Sequence, residues 1–125
     1  MQLKLVFFIL IGFFIIQEIL SQPETIKFER LTIEDGLSQR TVWDIVQDNY
    51  GFMWFATQDG LNKYDGYNFT VYNLDTYQQL RSNSINDLLL TKNNNIWLST
   101  NCGVYKYLYP IDDIVLVSEL PLIEY

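Results

Sequence analysis

Four carboxylates are the side chains of this sequence whose types and spacing could do chemistry: Asp48, Asp59, Asp65 and Asp87. Two carboxylates held a few ångströms apart form the acid pair of a glycosidase, and a dense set of oxygen ligands binds calcium. Each of the four, however, lies beside a turn signal or recurs at a repeat position, and no segment has the alternating oxygen ligands of a calcium loop. We therefore interpret them as turn and repeat residues, and we predict no catalytic residue, no metal site and no cofactor.

The composition of the chain excludes several kinds of catalytic and binding site. The chain has 125 residues and no His, which removes the commonest general base and the usual metal ligand. Its formal charge of −7 provides no basic patch, so nucleic acid is excluded as a partner. The single Cys102 cannot form a disulfide within the chain.

Residues 1–21 have the pattern of a secretory signal peptide. Lys4 supplies positive charge, an uninterrupted apolar run of 12 residues extends from Leu5 to Ile16, and Ser21 is a small residue that suits cleavage. A membrane-spanning helix needs about 20 apolar residues, so an uncleaved anchor is the less favoured alternative. We expect an exported, periplasmic chain that begins near Gln22 and meets the membrane only through this segment.

The elements that hold the acidic residues come from an internal repeat. Trp54 and Trp97 are 43 residues apart, and so are Gly60 and Gly103. When residues 42–65 are placed on residues 85–108 without a gap, six of 24 positions are identical, where chance predicts about one or two. The repeated residues are Asp44, Trp54, Thr57, Gly60, Lys63 and Tyr64, with Asp87, Trp97, Thr100, Gly103, Lys106 and Tyr107 as their partners.

The repeat unit is predicted to be β, because its segments are rich in β-branched and aromatic residues and are separated by Gly, Asn and Asp turn signals. The first copy contains TVWDIVQD, FMWFATQ, LNKYD and YNFTVYN, and the second contains SINDLLLT, NIWLST, GVYKYL and DIVLVS. Four antiparallel strands in this length describe one blade of a β-propeller. We predict an all-β chain with blades at residues 41–75 and 76–118, after the signal-peptide helix.

A blade cannot bury both faces of its sheet alone, so it stacks on a copy of itself through residues at equal positions. We interpret Trp54 and Trp97 as packing residues between blades rather than as ligand-stacking residues, because they recur. The structural repeat positions comprise Asp44, Trp54, Thr57, Gly60 and Tyr64 in one blade and Asp87, Trp97, Thr100, Gly103 and Tyr107 in the other.

These segments closely resemble the two-component regulator propeller repeats in the periplasmic sensors of Bacteroidetes hybrid two-component systems. The first, EDGLSQRTVWDIVQDNYGFMWFATQDGLNKYDGYNFTVY, spans residues 34–72 and is highly specific. The second, NSINDLLLTKNNNIWLSTNCGVYKY, spans residues 83–107 and is degenerate, with TKNN at its first turn and Cys102 before its turn glycine. The two segments cover most of the mature chain.

The resemblance implies an exported sensor that detects oligosaccharides or similar glycans and signals across the membrane to a histidine kinase phosphorelay. It also implies that this chain is an N-terminal fragment of an incomplete propeller, since family propellers close with about seven blades. Residues 22–40 then form a lead-in strand, FERLTI, that pairs with a final blade to close the ring, and residues 119–125 begin a further element. We expect the open blade faces to meet remaining blades or other copies of the chain.

Two other functions stay open at this point. A propeller enzyme, such as a quinoprotein or a polysaccharide lyase, would draw its site residues from other blades, and a purely structural propeller would bind a protein partner. For the favoured sensor, a sugar would stack on aromatic side chains exposed at blade loops, for which the candidates are Tyr50, Tyr67 and Tyr77.

Overall fold

The computed structural model describes residues 26–117, so the predicted signal segment 1–21 and the predicted further element 119–125 lie outside the described residues. Contacts divide the chain into two units, Met1–Arg30 and Leu31–Tyr125. Within the first unit, the described residues 26–30 contain neither helix nor strand. The two helices found in residues 26–117 are single 3-10 turns, and neither is a long, apolar helix that could cross a membrane.

Eight strands form two separate antiparallel sheets in chain order. The first blade contains β1 (Val42–Gln47), β2 (Met53–Thr57), β3 (Gly60–Tyr64) and β4 (Phe69–Tyr72). The second blade contains β5 (Ile85–Leu90), β6 (Ile96–Thr100), β7 (Gly103–Leu108) and β8 (Asp113–Leu116). The prediction of two four-stranded antiparallel blades is therefore confirmed, and every predicted strand segment contains its observed strand except LNKYD, because β3 begins one residue earlier, at Gly60.

The strands of the two blades pair in the same register. Trp54 pairs with Lys63 across β2 and β3, and Trp97 pairs with Lys106 across β6 and β7. The first strand of each blade has a bulge at the same place, just before Asp44 and just before Asp87. Equal registers put residues that are 43 positions apart on equivalent faces of the two sheets.

The first turn of the second blade keeps its shape without the expected residues. Gly51 has a positive φ of 92°, and Asn94, which takes its place 43 residues later, adopts φ 59°, a conformation that Asn tolerates better than most residues. Thr91 replaces Asp48, and its hydroxyl accepts the Asn95 amide at 3.0 Å. The degenerate TKNN segment therefore still folds as the first β-turn of a blade.

The core lies between the two blades rather than within either sheet. Side chains of the first blade meet a larger set from the second, and burial of each large apolar side chain stabilises the fold by about 1.5–3 kcal/mol. The core comprises Trp54, Ala56, Leu61 and Tyr72 from the first blade, Leu80 and Ile85 before and at the start of β5, and Leu88, Ile96, Leu98, Tyr105, Tyr107, Ile114 and Leu116 from the second.

Residues 26–40, which belong to the predicted lead-in strand of residues 22–40, contain no strand in this structure. Residues Ile33–Asp35 form a 3-10 turn, and the Thr32 amide donates to Asp35 Oδ2 at 2.8 Å in a capping box. While this turn is formed, the Thr32 amide is not available to a strand ladder. Pairing of this segment with a final blade remains a prediction.

Residues just after this turn attach to the first blade. Leu37 is buried, and Ser38 exchanges hydrogen bonds with Asn62 of β3, donating its amide to Oδ1 at 2.9 Å and accepting from Nδ2 at 2.8 Å. The second blade repeats the arrangement 43 residues later, where Leu80 is buried and the Arg81 amide donates to the Tyr105 hydroxyl at 3.0 Å. The repeat therefore begins before the first strand of each blade.

Candidate functional site

A polar and aromatic group of side chains lies between the blades, at the end that carries the β1–β2, β3–β4, β5–β6 and β7–β8 turns. The antiparallel order brings these four turns to the same end, and the Asn49 amide of one turn donates to Asn94 Oδ1 of another at 2.8 Å. We name this group the interblade cluster, and it consists of Asp48, Trp54, Lys63, Tyr72, Tyr107, Tyr109 and Asp112.

Asp48 holds one side of the interblade cluster. Its Oδ1 accepts the amides of Tyr50 and Phe52 at 2.9 and 3.0 Å, which shapes the β1–β2 turn. Its Oδ2 accepts the Trp54 indole N–H at 2.8 Å and the Tyr109 hydroxyl at 2.9 Å. One buried carboxylate thus joins a turn, the central tryptophan of its own blade and a tyrosine of the next blade.

Asp112 binds the side chains on the other side of the interblade cluster. It precedes β8 with a left-handed φ of 50°, and its Oδ1 accepts hydrogen bonds from the hydroxyls of Tyr72, at 2.7 Å, and Tyr107. Lys63 donates to the Tyr107 hydroxyl at 3.1 Å, and its Nζ lies 3.5 Å from Asp112 Oδ1. The Lys63 ammonium also lies 4.5 Å from the Phe52 ring centroid, so aromatic faces and one carboxylate surround it.

These contacts set the protonation states of the interblade cluster. Burial, followed by the hydrogen bond to Asp112, raises the pKa of both Tyr72 and Tyr107 well above the ordinary value. Burial and the hydrogen bond to Asp48 do the same to the pKa of Tyr109. Burial of Asp112 opposes its ionisation, but the hydrogen bonds from Tyr107 and Tyr72 and the charge of Lys63 outweigh burial and lower its pKa. At neutral pH the phenols are therefore protonated donors and Asp112 is an ionised acceptor.

Chemically, the interblade cluster is a set of matched donors and acceptors rather than a reactive centre. Phenols with raised pKa values make poor bases at neutral pH, and the Asp112 carboxylate is occupied by two hydroxyls. Two of its hydrogen bonds fix the angle between the blades, because Tyr72–Asp112 and Asp48–Tyr109 each join residues of different blades.

The raised tyrosine pKa values predict alkaline unfolding. A tyrosine in the unfolded chain titrates near pH 10, so these groups contribute stability below about pH 10 that is lost as the pH rises further, because the unfolded state then releases protons first. We expect the phenolate absorbance of Tyr72, Tyr107 and Tyr109 to appear together with the loss of β-sheet circular dichroism. Tyr72→Phe, which removes one such group, should make this loss of stability less steep. Titration of all nine tyrosines near pH 10 in an intact sheet would contradict the prediction.

The three aromatic ligand candidates have different surroundings. Tyr50 is 67% exposed on the β1–β2 turn, with its ring centroid 5.1 Å from that of Tyr109, and Tyr67 is 88% exposed on the β3–β4 turn. Tyr77 is half-buried, with its ring 4.7 Å from that of Tyr72 and its hydroxyl donating to the Asp112 carbonyl at 3.3 Å. Tyr50 and Tyr77 therefore flank the interblade cluster, while Tyr67 projects from a neighbouring turn.

The three remaining acidic candidates either accept hydrogen bonds at turns or lie on the surface of a sheet. Asp59 Oδ1 accepts from Asn83 Nδ2 at 2.9 Å. Asp65 Oδ1 accepts the amides of Asn68 and Tyr67 at 2.7 and 2.8 Å, which lowers its pKa. Asp87 lies at the edge of an apolar depression on the second blade.

The repeat positions occupy equivalent places with unequal surroundings. Thr57 and Thr100 each donate across a two-residue turn to the carbonyl of the following glycine, Gly60 or Gly103, at 2.8 and 2.9 Å. Tyr64 donates to a carbonyl of its own turn, at Gly66, whereas its partner Tyr107 joins the interblade cluster. The partners of Trp54 and Asp44 on the second blade, Trp97 and Asp87, face away from the core.

Sequence reasoning missed several residues that hold the blades together. Tyr72, Tyr109 and Asp112 do not recur at the repeat spacing, so the repeat contained no signal for them. Leu37 and Leu80 are identical at that spacing and both buried, so an alignment extended toward the N terminus would have found them.

Comparisons with known proteins agree with the repeat architecture. The sequence model described as two component regulator propeller matches residues 36–59 and 79–102. The chain is 42% identical over 67 residues to histidine kinase P4 of Formosa agariphila, a match that covers 54% of this chain and 5% of the kinase.

A solved structure is similar in both sequence and fold. It is the extracellular domain of a hybrid two component system from B. thetaiotaomicron, with a TM-score of 0.63 and 36% identity, and the match covers 70% of this chain and 13% of that chain. This chain therefore spans only a small part of the length of either relative.

Proposed function

Because residues 36–59 and 79–102 are two-component regulator propeller repeats, we propose that this chain supplies blades to the extracytoplasmic sensor of a hybrid two-component system. The observation that carries the proposal is the 36% identity and shared fold with an extracellular domain of such a system. Export through the segment at residues 1–21 is part of the proposal, and the mass of the exported chain should correspond to an N terminus near Gln22.

In this proposal the segment contributes recognition and blade packing, not catalysis. Its candidate carboxylates support this role, since Asp48 and Asp65 accept amides that shape turns, and Asp59 accepts from the Asn83 side chain. The phenols of the interblade cluster stay protonated at neutral pH, which suits a rigid support beneath a binding surface.

We assign the ligand to the oligosaccharide class, with the turn end of the blades as the surface that contacts it. Tyr50 and Tyr67 expose their rings there, and an exposed aromatic face stacks on the apolar face of a sugar ring. Tyr50 rests against Tyr109, which the buried Asp48 holds, so its position is fixed before a ligand arrives. Tyr77 serves in this scheme as a support, since its ring packs on Tyr72.

Glycan binding by the exported chain tests this assignment. The chain is applied to an array of plant and microbial oligosaccharides, and the affinity for any bound glycan is measured by calorimetry. Tyr50→Ala and Tyr67→Ala should each weaken binding about fivefold to tenfold. Trp43→Ala is the matched control, because Trp43 is 58% exposed at the opposite end of β1. Binding that Trp43→Ala weakens as much as the tyrosine variants, or an array without any bound glycan, would refute the assignment.

A further inference from the structure

The two oxygens of the Asp112 carboxylate have different surroundings. Oδ1 accepts the hydroxyls of Tyr72 and Tyr107 and lies 3.5 Å from Lys63 Nζ. Within residues 26–117, no hydrogen bond reaches Oδ2, and the side chain is 57% exposed. One oxygen of this carboxylate therefore belongs to the interblade cluster, and the other is left to accept a donor from a ligand.

Hydrogen bonds also fix the backbone of Asp112. Its amide donates to the Tyr109 carbonyl at 3.4 Å, and its carbonyl accepts the Tyr77 hydroxyl at 3.3 Å. An exposed carboxylate on a surface loop usually loses conformational freedom when it binds a ligand. Asp112 is already held on both its backbone and its side chain, so little further ordering opposes binding at Oδ2.

The free oxygen lies beside the aromatic surface to which we assign the sugar. Tyr109 begins the 3-10 turn Tyr109–Ile111, and Asp112 caps the end of that turn. The ring centroid of Tyr50 lies 5.1 Å from that of Tyr109. Tyr50 and Asp112 therefore both contact Tyr109, which puts a hydrogen-bond acceptor next to an exposed ring. A sugar offers an apolar face for the ring and hydroxyl donors at its edge.

The charge on Asp112 restricts the kind of sugar that can approach. Partial burial opposes its ionisation, but the hydrogen bonds from Tyr107 and Tyr72 and the charge of Lys63 outweigh burial, so its pKa is lowered and it is ionised at neutral pH. An ionised carboxylate accepts hydrogen bonds and donates none. It attracts a hydroxyl, and it repels a second carboxylate at the same distance.

The described turns at this end of the blades carry more negative than positive charge. Their acidic residues are Asp48, Asp65 and Asp112, and their basic residue is Lys92. Asp48 is buried and both its oxygens accept hydrogen bonds, so Asp65 and Asp112 are the exposed negative charges of these turns. Asp65 immediately precedes the turn residues that present Tyr67, so this ring too has a negative charge nearby.

Lys63 makes a cationic ligand unfavourable at the same place. Its ammonium lies 3.5 Å from Asp112 Oδ1 and is 17% exposed. A ligand ammonium at Oδ2 would therefore meet a carboxylate that is already paired, and a like charge behind it. A neutral hydroxyl needs only the free oxygen.

We propose that Asp112 selects the charge class of the glycan: its Oδ2 accepts a hydroxyl of a neutral sugar unit stacked on Tyr50, and its charge excludes uronic acids and other anionic units. This inference rests on the proposed glycan binding, and it adds to it a binding residue and a charge preference. Asp112 contacts the ligand directly in this scheme, whereas Tyr72 and Tyr107 position it.

Matched pairs of glycans test the inference. The exported protein is applied to an array that sets neutral hexose oligosaccharides beside oligomers of the corresponding uronic acids. Neutral members should bind at least about tenfold more tightly than their acidic counterparts. Asp112→Asn keeps the shape of the side chain and removes its charge. It should weaken binding of the neutral glycan about tenfold, strengthen binding of the acidic one, and so largely remove the preference.

Two control variants separate direct contact from support. Asp113→Asn removes the same charge one position further along, where Oδ1 accepts the Ile114 amide, and it should keep both affinity and preference. Tyr72→Phe removes one hydrogen bond to Asp112 Oδ1 but leaves the carboxylate in place. Any loss of affinity in this variant should be equal for neutral and acidic glycans. Circular dichroism should show all three variants folded.

The outcomes distinguish this inference from the function on which it rests. Equal binding of neutral and acidic glycans by the unchanged protein would overturn the inference and leave glycan binding intact. So would a preference that persists in Asp112→Asn, or a preference for acidic glycans that Lys92→Ala abolishes. An array without any bound glycan would instead refute the oligosaccharide assignment, and this inference with it.

Discussion

Replacement of Trp54 by Ala is expected to lower the free energy of unfolding by about 3–5 kcal/mol, the cost typical of removing a large aromatic side chain from a packed core. Domains of this size have only about 5–15 kcal/mol in total, so the variant should be largely unfolded at modest denaturant concentration. Urea titration followed by circular dichroism measures the effect.

The contacts of Trp54 explain the size of this effect. Its ring is fully buried, 4.5 Å from the Tyr107 centroid and 6.1 Å from that of Tyr72. Its indole N–H donates to Asp48, which also accepts from Tyr109, so the substitution removes one donor from a buried carboxylate as well as the packing.

Trp97→Ala is the matched control, because it changes the same residue at the same register position, on the face of the second blade that points away from the core. In dilute solution this variant should lose no more than about 1 kcal/mol, since Trp97 does not belong to the core between the blades. Equal loss of stability from both substitutions in dilute solution would contradict the account of the core given above.

The second large effect is expected for Gly60→Ala, because Gly60 begins β3 with a φ of 111°, a conformation that costs an L-residue about 1–2 kcal/mol. An added Cβ would also lie 2.5 Å from the Tyr72 carbonyl oxygen, a backbone atom that can move only if β4 moves. The Gly60 amide donates to the Asn83 carbonyl at 2.7 Å, so a shift here also disturbs the connection to the second blade. We expect a total loss of about 3 kcal/mol or more.

Gly66→Ala separates the two causes. Gly66 has a similar φ of 99°, but nothing lies within 4 Å of its added Cβ. This variant should lose only the conformational part, about 1–2 kcal/mol. Denaturant unfolding of both variants under the same conditions measures the difference, and a Gly60→Ala chain as stable as Gly66→Ala would show that the close approach of Tyr72 is tolerated.

Short-range sequence signals account for the strands and turns. The observed strand Val42–Gln47 lies inside the predicted segment 41–48. The turn between Thr57 and Gly60 lies where the Asp59-Gly60 pair predicts it. Such features depend on residues next to one another in the chain, so pattern and turn chemistry suffice to predict them. The Thr-x-x-Asp pattern of residues 32–35 is a further local signal, and it forms a capping box.

Long-range pairs could not be predicted in this way. Tyr72 and Asp112 are separated by 40 residues, and Asp48 and Tyr109 by 61. Their meeting depends on the angle and offset between two sheets, which arise from the packing of whole faces rather than from any local preference. Neither Tyr109 nor Asp112 has a repeat partner of the same type, so periodicity left them unmarked.

The period of 43 residues, the alternation of apolar side chains and the turn glycines were enough to establish two β blades and their equivalent positions, because these properties are local and recur. Only the tertiary structure decided which of two equivalent tryptophans lies in the core. Trp54 has a blade against its face and Trp97 faces outward, although the two are at the same position of the repeat. The physical reason is that burial belongs to a residue's neighbours in space, and a repeat specifies a face without specifying what covers it.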